Sequence, residues 1–104
     1  AQAAKINSAG VEAQNFNATS DITLKQDISI IDNAIEMIQN LEGINWNWKN
    51  NGKAAMGVSA QNVEQVAPQL VGQGEYKSVN YNGLVGILIE AVKSLKEEID
   101  ELKK

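Results

Sequence analysis

Six apolar residues near the C-terminus, Val85, Leu88, Val92, Leu95, Ile99 and Leu102, step by 3, 4, 3, 4 and 3 along the chain. This is a heptad seam with β-branched residues at a and leucine at d. Such a seam needs a partner surface, either the helix's own domain or further copies of the helix. Glu98 falls at g and Lys103 at the following e, the interchain ion-pair spacing of a parallel coiled coil. Ile87, Ile89 and Ala91 widen the apolar stripe only at its beginning. Residues 83–91 are therefore assigned to a globular core and 92–104 to a self-associating coiled-coil stalk. Taken alone, the a and d choices favour two strands.

A chain of 104 residues is one domain. Its residues are 43% hydrophobic but only 5% aromatic, so the core it can build is modest and partner chains can supply the rest. Without any Cys or His, a disulfide scaffold, a Cys nucleophile, a Cys/His zinc site and a His-dependent triad are all excluded. The net charge of −4 has the wrong sign for gripping a phosphate backbone, which argues against nucleic acid as a partner. The longest apolar run, Leu84 to Ile89, is far short of the roughly 20 residues that span a bilayer, so no membrane partner is expected.

Residues 1–19 carry only Ile6, Val11 and Phe16 as large apolar groups, too few to offset the entropy of ordering them. They read as the end of something larger, and weak alternation over residues 5–13 suggests a strand that needs neighbours. Helical spacing of Ile31, Ala34, Ile35, Ile38 and Leu41 predicts a helix over 32–42, capped by Asp32 and stopped by Gly43. Ile44, Trp46 and Trp48 alternate with polar residues and lead into Asn51-Gly52, which predicts a hairpin with a type I′ turn and a returning strand over 54–59. Trp46, Trp48 and Tyr81 are expected in the core rather than on a ligand platform. Ser59 can cap a short helix carrying Val63 and Val66, which Pro68 ends. Gly72-Gln73-Gly74 forms a loop, Lys77-Ser78-Val79 is extended, and a last helix begins near Asn82. Gly57 and Gly83 fit a turn or close backbone approach better than a phosphate cradle, because no Gly-rich loop leads into a helix with a following Lys.

The polar groups of Ser20-Asp21-Ile22-Thr23-Leu24-Lys25 offer acyl-transfer chemistry that does without His. An unprotonated lysine can activate a serine, provided that its surroundings desolvate the amine. On spacing alone, a Ser and a Lys five apart mean little, and Ser20 reads as a helix or turn cap and Lys25 as a solvated charge.

Five segments taken together resemble a known family. Residues 20–28, Ser20-Asp21-Ile22-Thr23-Leu24-Lys25-Gln26-Asp27-Ile28, are similar to the S-D-x-x-L-K-x-x-I opening of the C-terminal intramolecular chaperone domain of phage tail spikes and fibres, the S74 peptidase or endosialidase-type chaperone family. The helix ending Leu41-Glu42-Gly43 and running into Ile44-Asn45-Trp46-Asn47-Trp48 resembles L-x-G-V-x-F-x-W, and residues 57–71 resemble G-x-x-A-Q-E-V-x-x-x-x-P-x-L-V. Lys77-Ser78-Val79-Asn80-Tyr81 resembles K-S-V-x-Y, followed by a coiled-coil helix. Asn62 stands where that pattern has Glu, and Asn80 where Asp is common.

The resemblance implies a small, helix-rich α+β domain with a short β-hairpin, closed by a C-terminal helix in a parallel trimeric coiled coil. Residues 1–19 would end an upstream spike or fibre, 20–91 form the chaperone and autoprotease domain, and 92–104 form the stalk. It further implies a homotrimer that assists folding of the upstream part of the same polypeptide in the host cytoplasm and then releases itself by a single cleavage, leaving the mature protein in the virion tail. Ser20 would be the nucleophile and Lys25 the general base. The scissile bond lies among Thr19, Ser20 and Asp21, and Thr19–Ser20 is favoured because attack by the Ser20 hydroxyl on the Thr19 carbonyl passes through a five-membered ring. Gln61, in the A-Q motif, is a candidate oxyanion donor or a structural amide. No metal or other cofactor is implied. The rival reading is a structural trimerisation module that does not cleave.

Overall fold

The computed structural model describes residues 5–7 and 10–104; residues 1–4, 8 and 9 of the expected leader lie outside the described residues. The architecture is α+β, with three helices and three separate two-stranded antiparallel sheets among the described residues. The extended piece expected over 5–13 is two short strands, β1 (Lys5–Asn7) and β2 (Gly10–Glu12), paired Lys5 to Glu12 and Ile6 to Val11. Residues 14–33 then run exposed, interrupted by a single 3-10 turn at Ile22–Leu24.

Helix α1 (Ala34–Gln39) is shorter than its apolar spacing suggests. Asp32 does not cap it: Asn33 takes that position in the left-handed region (φ 55) and makes no side-chain cap bond. Nor does Gly43 stop it, because the helix ends at Asn40. Side-chain amides do the work a left-handed glycine would otherwise do. Asn40 Nδ2 donates to the Glu36 carbonyl at 2.9 Å, and Asn62 Nδ2 donates to the Asn40 carbonyl at 3.0 Å. Asn62 Oδ1 in turn accepts the Glu42 N–H at 2.9 Å. An amide does both jobs, where a carboxylate could only accept.

The hairpin of β3 (Ile44–Asn47) and β4 (Ala54–Gly57) forms as expected, but its turn does not. A type I′ turn needs positive φ at both central residues, and only Gly52 has it (φ 70). The loop instead spans Lys49 to Gly52, with the Gly52 N–H bonded to the Trp48 carbonyl (2.7 Å) and the Trp48 N–H to the Lys53 carbonyl (2.9 Å). This register sets Trp46 opposite Ala55 and diagonal to Gly57. A Cβ at Gly57 would lie 2.9 Å from the Tyr81 hydroxyl and 3.2 Å from the Trp46 ring, so the missing side chain makes room for both. Trp46 is half-buried and meets Trp48 edge to face at 5.4 Å. Trp48 and Tyr81, expected in the core, stay half exposed.

Ser59 caps α2 (Ala60–Val66) by accepting the Asn62 N–H, and Pro68 opens a 3-10 turn over Pro68–Leu70. Strands β5 (Val71–Gly72) and β6 (Ser78–Val79) close the loop around Gln73 and Gly74. Asn80 then caps α3 (Tyr81–Leu102), a role open equally to the Asp common at that position.

The buried cluster is small: Ala34, Val63, Ala67, Leu84, Ile87 and Ala91. α1 packs along α3, and the Pro68 turn sits on the first turns of α3. There Leu70 fills the space over Gly83 so closely that a Cβ would overlap Leu70 Cδ2 and lie 2.9 Å from Cδ1. Gly83→Ala is expected to destabilise the fold by about 1–2 kcal/mol, the overpacking cost less the gain in helix propensity. A lowered denaturation midpoint at unchanged slope checks it; an unchanged midpoint would mean that Leu70 moves aside freely.

Helix α3 carries two apolar stripes rather than one. Leu84, Ile87 and Ala91 face the domain, while Val85, Leu88, Val92, Leu95, Ile99 and Leu102 all stand at least 47% exposed in the single chain. Ile89, expected to widen the core stripe, is 53% exposed. The seam thus runs uncovered past the domain's own packing surface as well as beyond it.

Candidate functional site

The exposed segment before α1 owes its one turn of regular structure to local bonding. The Leu24 N–H bonds to the Asp21 carbonyl and the Lys25 N–H to the Ile22 carbonyl, each at 3.1 Å. Asp21, in an extended conformation, caps the turn: its Oδ1 accepts the Thr23 N–H at 2.9 Å and the Thr23 hydroxyl at 2.8 Å. The Thr23 N–H first, and then the Thr23 hydroxyl, hold the Asp21 carboxyl below the usual carboxylate range.

The turn brings Ser20 and Lys25 together, with Lys25 Nζ 2.9 Å from Ser20 Oγ. As an ammonium the lysine donates to the hydroxyl; as a free amine it can accept the hydroxyl proton across the same distance. Both side chains are exposed in the single chain, as is Thr19 on the N-terminal side. Gln61 lies exposed in the first turn of α2, and among the described residues no hydrogen bond joins it to Ser20 or Lys25. Asp21 was singled out in the sequence only as a cleavage-site neighbour, and its capping bonds to Thr23 are a further part of this arrangement.

A second polar cluster ties α2 to the loop between β5 and β6. Glu64 forms an ion pair with Lys77 and accepts a hydrogen bond from Gln73 Nε2 at 2.6 Å. The Lys77 contact, followed by that from Gln73, lowers the Glu64 carboxyl below its ordinary range. Nothing in residue spacing announces this tie, because its members are brought together only by the fold. Among the described residues no group of three or more acidic side chains is placed to hold a metal ion.

Comparison with known proteins bears on residues 20–72, which match the family model described as chaperone of endosialidase, from Ser20 through the β3–β4 hairpin and α2 to Gly72. The chain belongs to the chaperone-of-endosialidase family. Among individual relatives, this chaperone-family chain is 30% identical over 107 residues to the long tail fiber protein Gp37 of Salmonella phage S16, an alignment covering 90% of this chain and 14% of that protein. It is 29% identical over 104 residues to the Gp37 long tail fiber proteins of Enterobacteria phages K3 and T2, covering 89% of this chain and 8% of each. The chain therefore spans about a seventh or less of the length of these relatives.

Proposed function

We propose that this chain is the trimeric chaperone segment of a phage tail spike or fibre, and that it severs itself from the upstream polypeptide after assembly. The observation that carries the reading is the 2.9 Å contact between Ser20 Oγ and Lys25 Nζ within the exposed segment that precedes α1. Residues 1–19 are the end of the upstream fibre, 20–91 the chaperone and autoprotease domain, and 92–104 the stalk. Three copies join along Val85, Leu88, Val92, Leu95, Ile99 and Leu102, whose exposure in the single chain leaves a continuous apolar strip for them. Tail-fibre relatives matching over most of this chain support the placement in a virion tail; assembly in the host cytoplasm belongs to the proposal.

The chemistry follows from the pair. Neutral Lys25 takes the hydroxyl proton as Ser20 Oγ attacks the Thr19 carbonyl carbon; the Thr19–Ser20 C–N bond breaks and the Ser20 nitrogen takes the proton back. The resulting Thr19–Ser20 ester is hydrolysed by water, leaving a Thr19 carboxylate and a chain that begins at Ser20. In the trimer, neighbouring chains close over the pair and exclude water from it. Gln61 of a neighbouring copy is the candidate donor to the oxyanion. Interchain folding of an intertwined fibre is slow because its contacts are non-local, and a local coiled coil that fixes register shortens the search. Removing the chaperone afterwards traps the product kinetically.

A non-cleaving trimerisation module would need the seam but has no use for the Ser20–Lys25 contact. Freshly expressed chain is expected to lose residues 1–19, giving a product whose N-terminus is Ser20, while Ser20→Ala stays whole. A wild-type chain that remains intact as an assembled trimer would leave only the scaffold.

A further inference from the structure

Five residue steps of extended chain cover roughly 16 Å, more than a lysine side chain can bridge back to a serine hydroxyl. The contact between Ser20 and Lys25 therefore depends on the 3-10 turn between them, whose tighter rise of about 2 Å per residue shortens the path. In the single chain that turn has little to hold it. It is one turn long, and Ile22, Thr23 and Leu24 are all exposed. A short helical segment without packing is marginal in water, so local capping decides how often it forms. The cap is supplied by one oxygen, Asp21 Oδ1, which takes both the N–H and the hydroxyl of Thr23.

We infer that Asp21 is a positioning residue for self-cleavage: by capping the Ile22–Leu24 turn through Thr23, it holds Lys25 Nζ within hydrogen-bond reach of Ser20 Oγ. The inference rests on the reading of Ser20 and Lys25 as the cleaving pair and adds what sets their geometry.

The test compares wild type, Asp21→Ala and Asp21→Asn in the full 104-residue chain. An asparagine oxygen can still accept the Thr23 N–H, whereas alanine cannot. Asp21→Ala is expected to cleave about fivefold more slowly, the fold-change that corresponds to losing a cap worth about 1 kcal/mol. Asp21→Asn is expected to stay within about twofold of wild type, since asparagine caps as well as aspartate. An independent readout needs no cleavage: the temperature coefficient of the Thr23 amide proton, by NMR on the Ser20→Ala background, is expected to report a lost hydrogen bond with Asp21→Ala and a kept one with Asp21→Asn. The proposal is overturned if Asp21→Ala cleaves at the wild-type rate, if Asp21→Asn is as slow as Asp21→Ala, or if the Thr23 amide is indifferent to all three residues. Failure of the wild-type chain to cleave would instead strike the reading of Ser20 and Lys25, and the amide measurement would still decide whether Asp21 holds the turn.

Discussion

Leu95→Asp in α3 is expected to leave the chain monomeric in sedimentation at concentrations where the unaltered chain is a trimer, and to stop the loss of residues 1–19 with it. Leu95 lies on the uncovered stripe, 47% exposed in the single chain, while the domain's own contacts are made by Leu84, Ile87 and Ala91. The substitution therefore spares the fold that the single chain builds, and circular dichroism should show a folded chain. In a threefold bundle every seam position is present three times. Losing one buried leucine typically costs about 2–5 kcal/mol per copy, and burying a carboxylate in its place costs more. Only about three heptads carry the seam, and assembly through so short a coiled coil cannot absorb a loss of that size. Cleavage is expected to fall with assembly because the single chain leaves both Ser20 and Lys25 open to water. A variant that sediments as a monomer yet sheds residues 1–19 at the unaltered rate would separate cleavage from assembly.

How much of this was legible in the sequence depended on whether the deciding interaction was local. Ser59 as the cap of α2, Pro68 as its limit and the start of α3 are set by neighbouring residues, and each could be read directly. The hairpin's strands were equally plain, but its turn was not. Asn51-Gly52 favours a two-residue turn locally, but the strand pairing, with Trp46 opposite Ala55, leaves the four residues Lys49 to Gly52 between Trp48 and Lys53 and so overrides it. The ends of α1 were misjudged for the same reason. Asp32 and Gly43 are good local signals, yet the bonds that close the helix come from Asn40 and from Asn62, 22 residues away from Asn40 in the chain. The seam was legible as a pattern, but that it runs exposed alongside the buried stripe from Val85 onward was not, because periodicity does not say which of two faces the domain takes. At the candidate site the residue types suggested Ser20 and Lys25, and the resemblance singled them out. Asp21's bonds to Thr23 are local enough to have been found as a capping pattern, two residues apart in the chain.

The role given to Lys25 leads to the sharpest expectation. Lys25→Arg keeps a long cationic side chain beside Ser20, so any function that needs only charge, or only a hydrogen-bond donor to Ser20 Oγ, survives it. A guanidinium does not give up its proton in a protein, so the same change removes a base and nothing else of consequence. If Lys25 accepts the Ser20 proton, Lys25→Arg should cleave about 10²–10⁴-fold more slowly, the range over which a positioned base contributes. The trimer should persist, because Lys25 stands outside both stripes of α3. Lys25→Ala should be as slow, but with room beside Ser20 for a small amine. Added methylamine is therefore expected to restore part of its cleavage and none of that of Lys25→Arg, whose side chain fills the place. Cleavage of Lys25→Arg at the unaltered rate would assign the lysine to binding or structure, and the proton from Ser20 would need another acceptor.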